Sequence, residues 1–183
     1  LLAVLAAALP LAAAACSDDS DASSSSTTTT ATADPGDSGH DHVEVGAVDF
    51  SFEDLPSSID AGTQLTLRND ADRELHELVA FRLPDDEKRP VAELLKLPES
   101  ELMPMLGAPS TVLLAAPGED QVAAVGDGTL TEPGRYLVMC SIPTGVEPAE
   151  YLRAAAAANG QKPNVDGGPP HFTSGMFAEL TVR

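Results

Sequence analysis

The sequence predicts an all-β antiparallel sandwich over residues 44–183, preceded by an apolar leader and a polar linker. Two observations favour this fold class: short runs of alternating apolar residues recur along the chain, and turn residues such as Pro-Gly and Gly-Asp-Gly separate them. Several short strands with this spacing are typical of two packed sheets. The segment is also long enough to bury the core of one domain.

Seven segments are predicted as strands. The first, Val43–Phe52, changes its alternation at Ala47-Val48, which indicates a bulge within one strand. Leu75–Leu83 is apolar on both faces, as expected for a strand in the interior of the sandwich. The remaining predicted strands are Thr63–Asn69, Ser110–Ala116, Gln121–Val125, Arg135–Cys140 and Met176–Val182.

One or two short helical inserts interrupt the strands. Pro90–Leu97 has proline at a helix start and apolar residues on one face, and a shorter turn is predicted at Glu99–Met103. Pro148–Ala158 is rich in alanine, begins with proline and is followed by the stop signal Asn159-Gly160. We therefore expect two helical regions outside the sheets.

The leader predicts export. Leu1–Ala15 is an uncharged run of 15 residues, short of the roughly 20 that span a bilayer, and it fits the h-region of a signal peptide whose basic n-region is missing. Ala13–Cys16 resembles a bacterial lipobox, in which Cys16 becomes the lipidated first residue. The alternative is ordinary cleavage nearby, with Cys16 incidental. Residues 1–16 are thus predicted to be the signal and lipobox.

The linker, residues 17–43, is rich in Ser, Thr and Asp and has no apolar periodicity. Such a segment cannot bury enough surface to offset its chain entropy, so it is predicted to be disordered. It would serve as a spacer between a membrane and the domain. Leader and linker together predict an extracytoplasmic, membrane-anchored lipoprotein at the cell surface or in the periplasm.

The domain is acidic. Of the 29 Asp and Glu residues, six precede Glu44, which leaves 23 against ten Lys and Arg and a net charge near −13. Nucleic acid is excluded as an expected partner, because phosphate contacts need clustered Lys and Arg. An acidic surface can keep an exported protein soluble, or it can steer a basic protein partner.

Cys140 is the only thiol left if Cys16 is lipidated. Exported proteins usually pair their cysteines, and metal ligation is one of the few good reasons for an unpaired one. Alternation places Tyr136, Val138 and Cys140 on one strand face, with Cys140 at the strand end. The alternative is that Cys140 is a small buried hydrophobe.

Three more residues have metal-binding chemistry. His171 and Met176 are separated by four residues, including Gly175, so one short loop can place both around an ion. His76 lies on an apolar strand. Imidazole, thiolate and thioether form the donor set that copper prefers. Each residue taken alone would more often belong to the core, so the prediction depends on the combination.

Two stretches resemble cupredoxins, the type 1 blue copper proteins. Pro133–Cys140 is similar to their Pro-Gly-x-Tyr-x-x-x-Cys stretch, and His171–Met176 is similar to their His-x4-Met ending. The strand with Asn69, followed by His76, stands where the first His ligand of the family falls. The resemblance covers about Val43 to Arg183.

This resemblance implies a Greek-key β-sandwich that holds one type 1 copper ion. By it, His76, Cys140 and His171 would form a trigonal plane, with Met176 as the weak axial ligand. A thiolate and two neutral imidazoles suit both Cu(I) and Cu(II), and a long axial bond tunes the reduction potential.

The chain departs from the family in two places. Thirty residues, 141–170, separate Cys140 from His171, where cupredoxins have only a few. The insert, 144–168, is tolerable because tenfold more chain raises the closure cost by only about 2 kcal/mol. Glu77 follows His76 where many cupredoxins have Asn, which puts the usual hydrogen bond to the thiolate in doubt.

The function expected from these observations is membrane-tethered electron transfer, by a monomer that serves an exported redox protein partner. An enzyme is not expected, since four ligands leave no open coordination position. The insert, predicted to lie over the metal, is a candidate for partner recognition. The alternatives are a copper-binding or delivery lipoprotein without a redox role, in which the insert is a gate, and a metal-free cupredoxin-like binding module.

Overall fold

A computed structural model describes residues 41–158 and 161–183. The leader, Cys16 and most of the linker lie outside the described residues, as does the predicted helix stop at Asn159-Gly160. The signal, lipidation and linker therefore stay predictions. Among the helices that the structure does describe, none has the length and apolar character needed to span a membrane.

In the described residues, ten strands form two sheets. In chain order they are β1 (His42–Val48), β2 (Ser51–Glu53), β3 (Ser58–Ile59), β4 (Thr63–Asn69), β5 (His76–Arg82), β6 (Thr111–Ala115), β7 (Val122–Val125), β8 (Thr129–Leu130), β9 (Gly134–Met139) and β10 (Phe177–Val182). One sheet has the order β2-β1-β4-β8 and the other the order β3-β10-β9-β5-β6-β7. The predicted all-β sandwich is confirmed.

Within residues 41–158 and 161–183, three short α-helices and one 3₁₀ turn accompany the strands. They are α1 (Val91–Leu94), α2 (Glu99–Leu106), α3 (Pro148–Ala157) and the 3₁₀ turn His171–Ser174. Helices α1 and α2 bury Leu94, Leu102 and Leu106 against the outer face of the six-stranded sheet. They therefore add a third layer, which explains why that sheet is apolar on both faces.

Two details of the predicted strands are wrong. The pairs β1–β4 and β3–β10 run parallel, so the sheets are mixed rather than antiparallel throughout. The segment Val43–Phe52 is not one bulged strand, because β1 turns back into β2 with Val48 opposite Ser51. Phe50, at φ 62°, is in the left-handed region within this tight turn. A two-residue hairpin turn changes the phase of the apolar alternation, as a bulge does, so the two could not be told apart by pattern. The turn residues are Asp49-Phe50 and not the Asn-Gly or Asp-Gly pair that is typical of such hairpins.

The central strand β5 and its neighbour β9 alternate as the sequence predicted. His76, Leu78, Tyr136, Val138 and Cys140 belong to, or border, the core between the sheets. Their sequence neighbours Val79, Phe81, Leu137 and Met139 face the helical layer. The inner ends of these two strands thus deliver His76 and Cys140 to one edge of the core.

Arg135 ties β9 to β10 and to the loop before α1. Its Nε and Nη2 donate to the two carboxylate oxygens of Glu179 at 2.9 and 2.8 Å, and the guanidinium also reaches the carbonyls of Glu87 and Arg89. Hydrogen bonding from Arg135 lowers the pKa of Glu179. The pair is partly exposed, so solvent screens it.

We expect Glu179→Gln to cost about 0.5–1 kcal/mol of unfolding free energy at pH 7. Because the carboxyl pKa is lowered on folding, this contribution is full above the ordinary Glu pKa of about 4.3 and is lost as the pH falls through the lowered value. Urea unfolding of both proteins at pH 7 and about pH 2.5 measures the gap. A gap that stays constant would contradict the ion pair, and Glu132→Gln, at the long 3.7 Å contact with Arg82, is the control with no expected effect.

Candidate metal centre

Three donor atoms meet at the edge of the core. Nδ1 of His171 lies 3.3 Å from Sγ of Cys140 and 3.2 Å from Nδ1 of His76. The potential ligand atoms of these three residues all lie within 4.8 Å of one another. All three side chains are completely buried. The structure therefore brings together three of the four residues that the sequence singled out, with Nδ1 of His171 next to both the sulfur of Cys140 and Nδ1 of His76.

Met176 joins the three residues through the backbone. The Cys140 N–H donates to the Met176 carbonyl at 3.1 Å, and the Met176 N–H donates to the His171 carbonyl at 3.3 Å. Its side chain is completely buried and packs in the core between the sheets, as predicted. Met176 is thus the residue at the entry to β10 that lies next to both later ligands of the predicted set.

Backbone pairing explains how 30 residues can separate Cys140 from His171. The His171 N–H donates to Ile142 O at 3.0 Å, the Phe172 N–H to Cys140 O at 2.9 Å and the Gly168 N–H to Thr144 O at 2.9 Å. We call these two paired segments, 140–144 and 168–172, the neck. The neck returns the chain to its starting point, so the predicted insert leaves and re-enters at adjacent positions.

Glycine is needed where the neck closes. A Cβ on Gly167 would stand 2.5 Å from Cβ of Pro143, closer than side-chain carbons approach, and a Cβ on Gly168 would stand 3.2 Å from Cβ of Thr144, which is a tight contact. The next residues, Pro169 and Pro170, are fixed in φ by their rings. Gly168, Pro169 and Pro170 therefore begin the second segment of the neck, and Gly167 lies directly before it.

Glu77 organises the residues around the sulfur. Its backbone N–H donates to Cys140 Sγ at 3.4 Å, so the sulfur receives its hydrogen bond from the main chain at the position where a side-chain partner was in doubt. Its carboxylate Oε1 accepts the N–H and hydroxyl of Ser141 at 2.9 and 2.6 Å. Tyr151 of α3 donates its hydroxyl to Oε2 at 3.3 Å. Glu77 thus fixes the residue after Cys140 and fastens the insert to β5.

Two residues that sequence reasoning did not weigh as part of the site support His171 and its loop. Glu74 Oε2 lies 3.3 Å from Nε2 of His171, without the alignment of a hydrogen bond, and accepts the N–H of Gly145 at 3.1 Å. This carboxylate favours a proton on Nε2, which leaves the Nδ1 lone pair directed at the other donors. The second of these residues is Tyr151, the one aromatic residue of the Ala-rich helix α3. Its position in an otherwise small-residue helix was a sequence signal for the buried face of α3.

Asn69 holds the approach to His76. Its amide donates to the carbonyls of Glu74 and Ala115 at 2.8 and 2.7 Å, and its side-chain oxygen accepts the N–H of Ala71 at 2.9 Å. The side chain is buried, so each of these bonds satisfies a group that water cannot reach. Asn69 therefore sets the course of the loop that carries Glu74 and ends at His76.

Burial keeps all three donors uncharged. It lowers the pKa of His76 to about 4, helped by the neighbouring His171, and it also lowers the pKa of His171. Burial, with the nearby Glu77 carboxylate, raises the pKa of the Cys140 thiol. Neutral imidazoles have free lone pairs at physiological pH, whereas the sulfur needs a cation to displace its proton.

The donor set fits a soft transition-metal ion. Two ligand atoms bound at roughly 2.0–2.3 Å to one ion lie about 3–4 Å apart, which agrees with the 3.2 and 3.3 Å separations here. One thiolate and two imidazoles favour copper over hard cations such as Mg²⁺ or Ca²⁺. The edge of Phe50, from the β1–β2 turn, packs on His171 with ring centroids 4.9 Å apart and shields this side.

Among known proteins, the chain is similar to several solved structures. No protein-family model and no curated protein matches the chain. An auracyanin of Roseiflexus castenholzii, reduced with dithionite, is 16% identical, with 78% of this chain and 96% of that chain covered and a TM-score of 0.44. Auracyanin B is 19% identical, with 78% of this chain and 88% of that chain covered and a TM-score of 0.42. Auracyanin A of Chloroflexus aurantiacus, described as a "blue" copper protein, is 18% identical. The match covers 78% of this chain and 98% of that chain, with a TM-score of 0.40.

The described domain is a β-sandwich of two sheets with a buried His–Cys–His donor set at one edge of its core.

Proposed function

We propose that this domain binds one copper ion as a type 1 centre and carries single electrons between other proteins. The observation that supports it most directly is the convergence of Nδ1 of His76, Sγ of Cys140 and Nδ1 of His171 inside a completely buried site. Met176 would be the fourth, weak ligand, as the resemblance to cupredoxins implies. Three convergent donors of these types have no comparable use in a metal-free core.

When bound, copper supplies a one-electron couple between Cu(II) and Cu(I). The chain supplies rigidity: His76 and Cys140 lie at the ends of adjacent central strands, and the neck holds His171. A site that moves little when the charge changes needs little reorganisation for electron transfer. Burial of every donor also keeps water away from the site.

Electron transfer suits this site better than catalysis or delivery. With four protein ligands there is no open position for a substrate, so we infer a carrier rather than an enzyme. A delivery protein must release its ion, whereas the paired neck and the bond from Tyr151 to Glu77 favour retention. The insert would then be a fixed cover over one side of the site, available for recognition of a partner.

The proposed setting is outside the cytoplasm. The leader and Cys16 support a lipid anchor, and the linker supports a tether of variable reach. The partner would be another exported redox protein, and the net charge near −13 of the domain favours one with a basic docking surface. A monomer is sufficient for this role, because all proposed ligands come from one chain.

Loading of the purified metal-free protein with Cu(II) tests this function. We expect one copper per chain and an intense visible absorption from thiolate-to-copper charge transfer, which ascorbate removes reversibly. A colourless Cu(II) complex, or no tight copper binding, would overturn the type 1 assignment. Rapid loss of copper to a chelator, together with slow electron self-exchange, would instead support copper delivery.

A further inference from the structure

A cavity of about 650 Å³ lies on the outer side of the six-stranded sheet, away from the donor atoms. The sheet forms its floor, and residues of the α1–α2 layer and of the insert line its sides. Its volume is in the range of small-molecule sites, about 300–1,000 Å³. The walls are mainly aliphatic, aromatic and thioether side chains, among them Val79, Phe81, Leu102, Met103 and Phe172.

The cavity lies directly behind the proposed metal site. Each of the three donor residues has an immediate chain neighbour in the cavity wall: Glu77 beside His76, Met139 and Ser141 beside Cys140, and Phe172 beside His171. Alternation along β5 and β9 explains the placement of Glu77 and Met139, since successive side chains of a strand point to opposite faces, whereas Phe172 follows His171 in the 3₁₀ turn. The cavity is therefore a second site, separated from the first by the thickness of the sheet.

Two polar side chains give the cavity a hydrogen-bonding end. Glu77 and Tyr151 line it and are only 3% and 2% exposed. Glu77 Oε1 already accepts two bonds from Ser141, while Oε2 accepts only the long 3.3 Å bond from Tyr151. A carboxylate oxygen has two acceptor positions, so Oε2 has room for one more donor.

The remaining charges oppose an ionic ligand. Lys162 of the insert and Glu99 of α2 are 3.5 Å apart at the lining and neutralise each other. An anion would meet the Glu77 carboxylate, and a cation would lose its hydration among apolar walls at high cost. Aromatic and thioether walls suit a ring system.

We propose that this cavity binds a neutral, ring-containing amphiphile with a hydroxyl group. The hydroxyl donates to Oε2 of Glu77, and the apolar body lies between the sheet, α2 and the insert. Binding does not need a metal, because no donor atom of the metal centre faces the cavity. A result that excludes ligand binding in the cavity is therefore distinguishable from a result that excludes copper binding.

Calorimetric titration of the metal-free protein with 2-naphthol and with naphthalene tests the proposal. We expect saturable 1:1 binding of 2-naphthol, at least about tenfold tighter than naphthalene, since naphthalene has no hydroxyl to donate to the buried Oε2 of Glu77. Ala124, exposed on β7, lines the cavity, and its neighbour Ala123 is exposed without lining it. Ala124→Trp should weaken 2-naphthol binding at least about tenfold, and the matched Ala123→Trp should leave it unchanged.

Three results would overturn the proposal: no saturable binding to the wild type, equal affinity for the two probes, or unchanged binding in a folded Ala124→Trp. If Ala124→Trp does not fold by circular dichroism, Ala108→Trp replaces it, because Ala108 is an exposed residue on another part of the lining. Binding of a peptide helix in place of 2-naphthol would count against the small-molecule site and assign the cavity to a protein partner.

Discussion

Copper-loaded Cys140→Ser is expected to lack the intense visible absorption band and to keep only weak d–d absorption. The intense band needs charge transfer from a thiolate, and the serine hydroxyl is a harder oxygen donor that keeps its proton at neutral pH. Serine fits the space of the completely buried cysteine, so the fold should persist. Absorption spectra and metal content of both proteins, loaded in parallel, give the measurement. A band of wild-type intensity in Cys140→Ser would show that the sulfur is not a ligand.

Met176→Leu is the matched control for that experiment. A volume-conserving swap of this kind costs less than about 1.5 kcal/mol of stability. Since the thioether would be a weak ligand that favours Cu(II), its removal should keep the visible band and raise the reduction potential. Loss of the band in Met176→Leu would mean that Met176 does more than the axial role assigned to it.

Glu77→Ala is expected to cost about 3 kcal/mol of unfolding free energy in the metal-free protein. The substitution leaves the N–H and hydroxyl of Ser141 and the hydroxyl of Tyr151 without their acceptor in a buried region. Each unpaired group costs about 1–3 kcal/mol. Relief from burying the carboxylate, whose pKa is raised by burial, offsets part of the loss.

Glu77→Gln separates the hydrogen bonds from the charge. Its amide oxygen can accept from Ser141, and its amide nitrogen can donate to the Tyr151 oxygen, so the loss should stay below about 1 kcal/mol. Urea unfolding followed by circular dichroism compares the three proteins. Tryptic cleavage after Arg153, exposed on α3, reports release of the insert and should accelerate only in Glu77→Ala. Equal losses in both variants would show that the bonds do not carry the effect.

Local pattern was sufficient to predict the faces of the central strands. Alternation alone predicted that Tyr136, Val138 and Cys140 share one strand face and that Leu137 and Met139 share the other, and the structure places the two sets in different hydrophobic clusters. Period-2 alternation records which face is buried, but not which strand lies alongside. The parallel pairing of β1 with β4 was therefore beyond it.

The site was predicted in part. Residue types and spacing singled out the three convergent donors and Met176, but not the Nδ1 orientation of the imidazoles or the part played by Glu74. The contact of Tyr151 with Glu77 joins residues 74 positions apart, so no local pattern encodes it. The 30 residues between Cys140 and His171 are the largest departure from the cupredoxin pattern. Backbone pairing in the neck explains how these two residues still lie side by side.

The neck also makes the domain modular. Its two sides are joined at Thr144 and Gly168, so backbone pairing holds Cys140 and His171 beside each other and does not depend on the length of the chain between Thr144 and Gly168. Doubling a loop costs only about 0.6 kcal/mol in closure entropy. A guest peptide spliced at the exposed Asp166, with Tyr151 retained, is therefore expected to add a binding specificity to this domain without redesign of the proposed metal site.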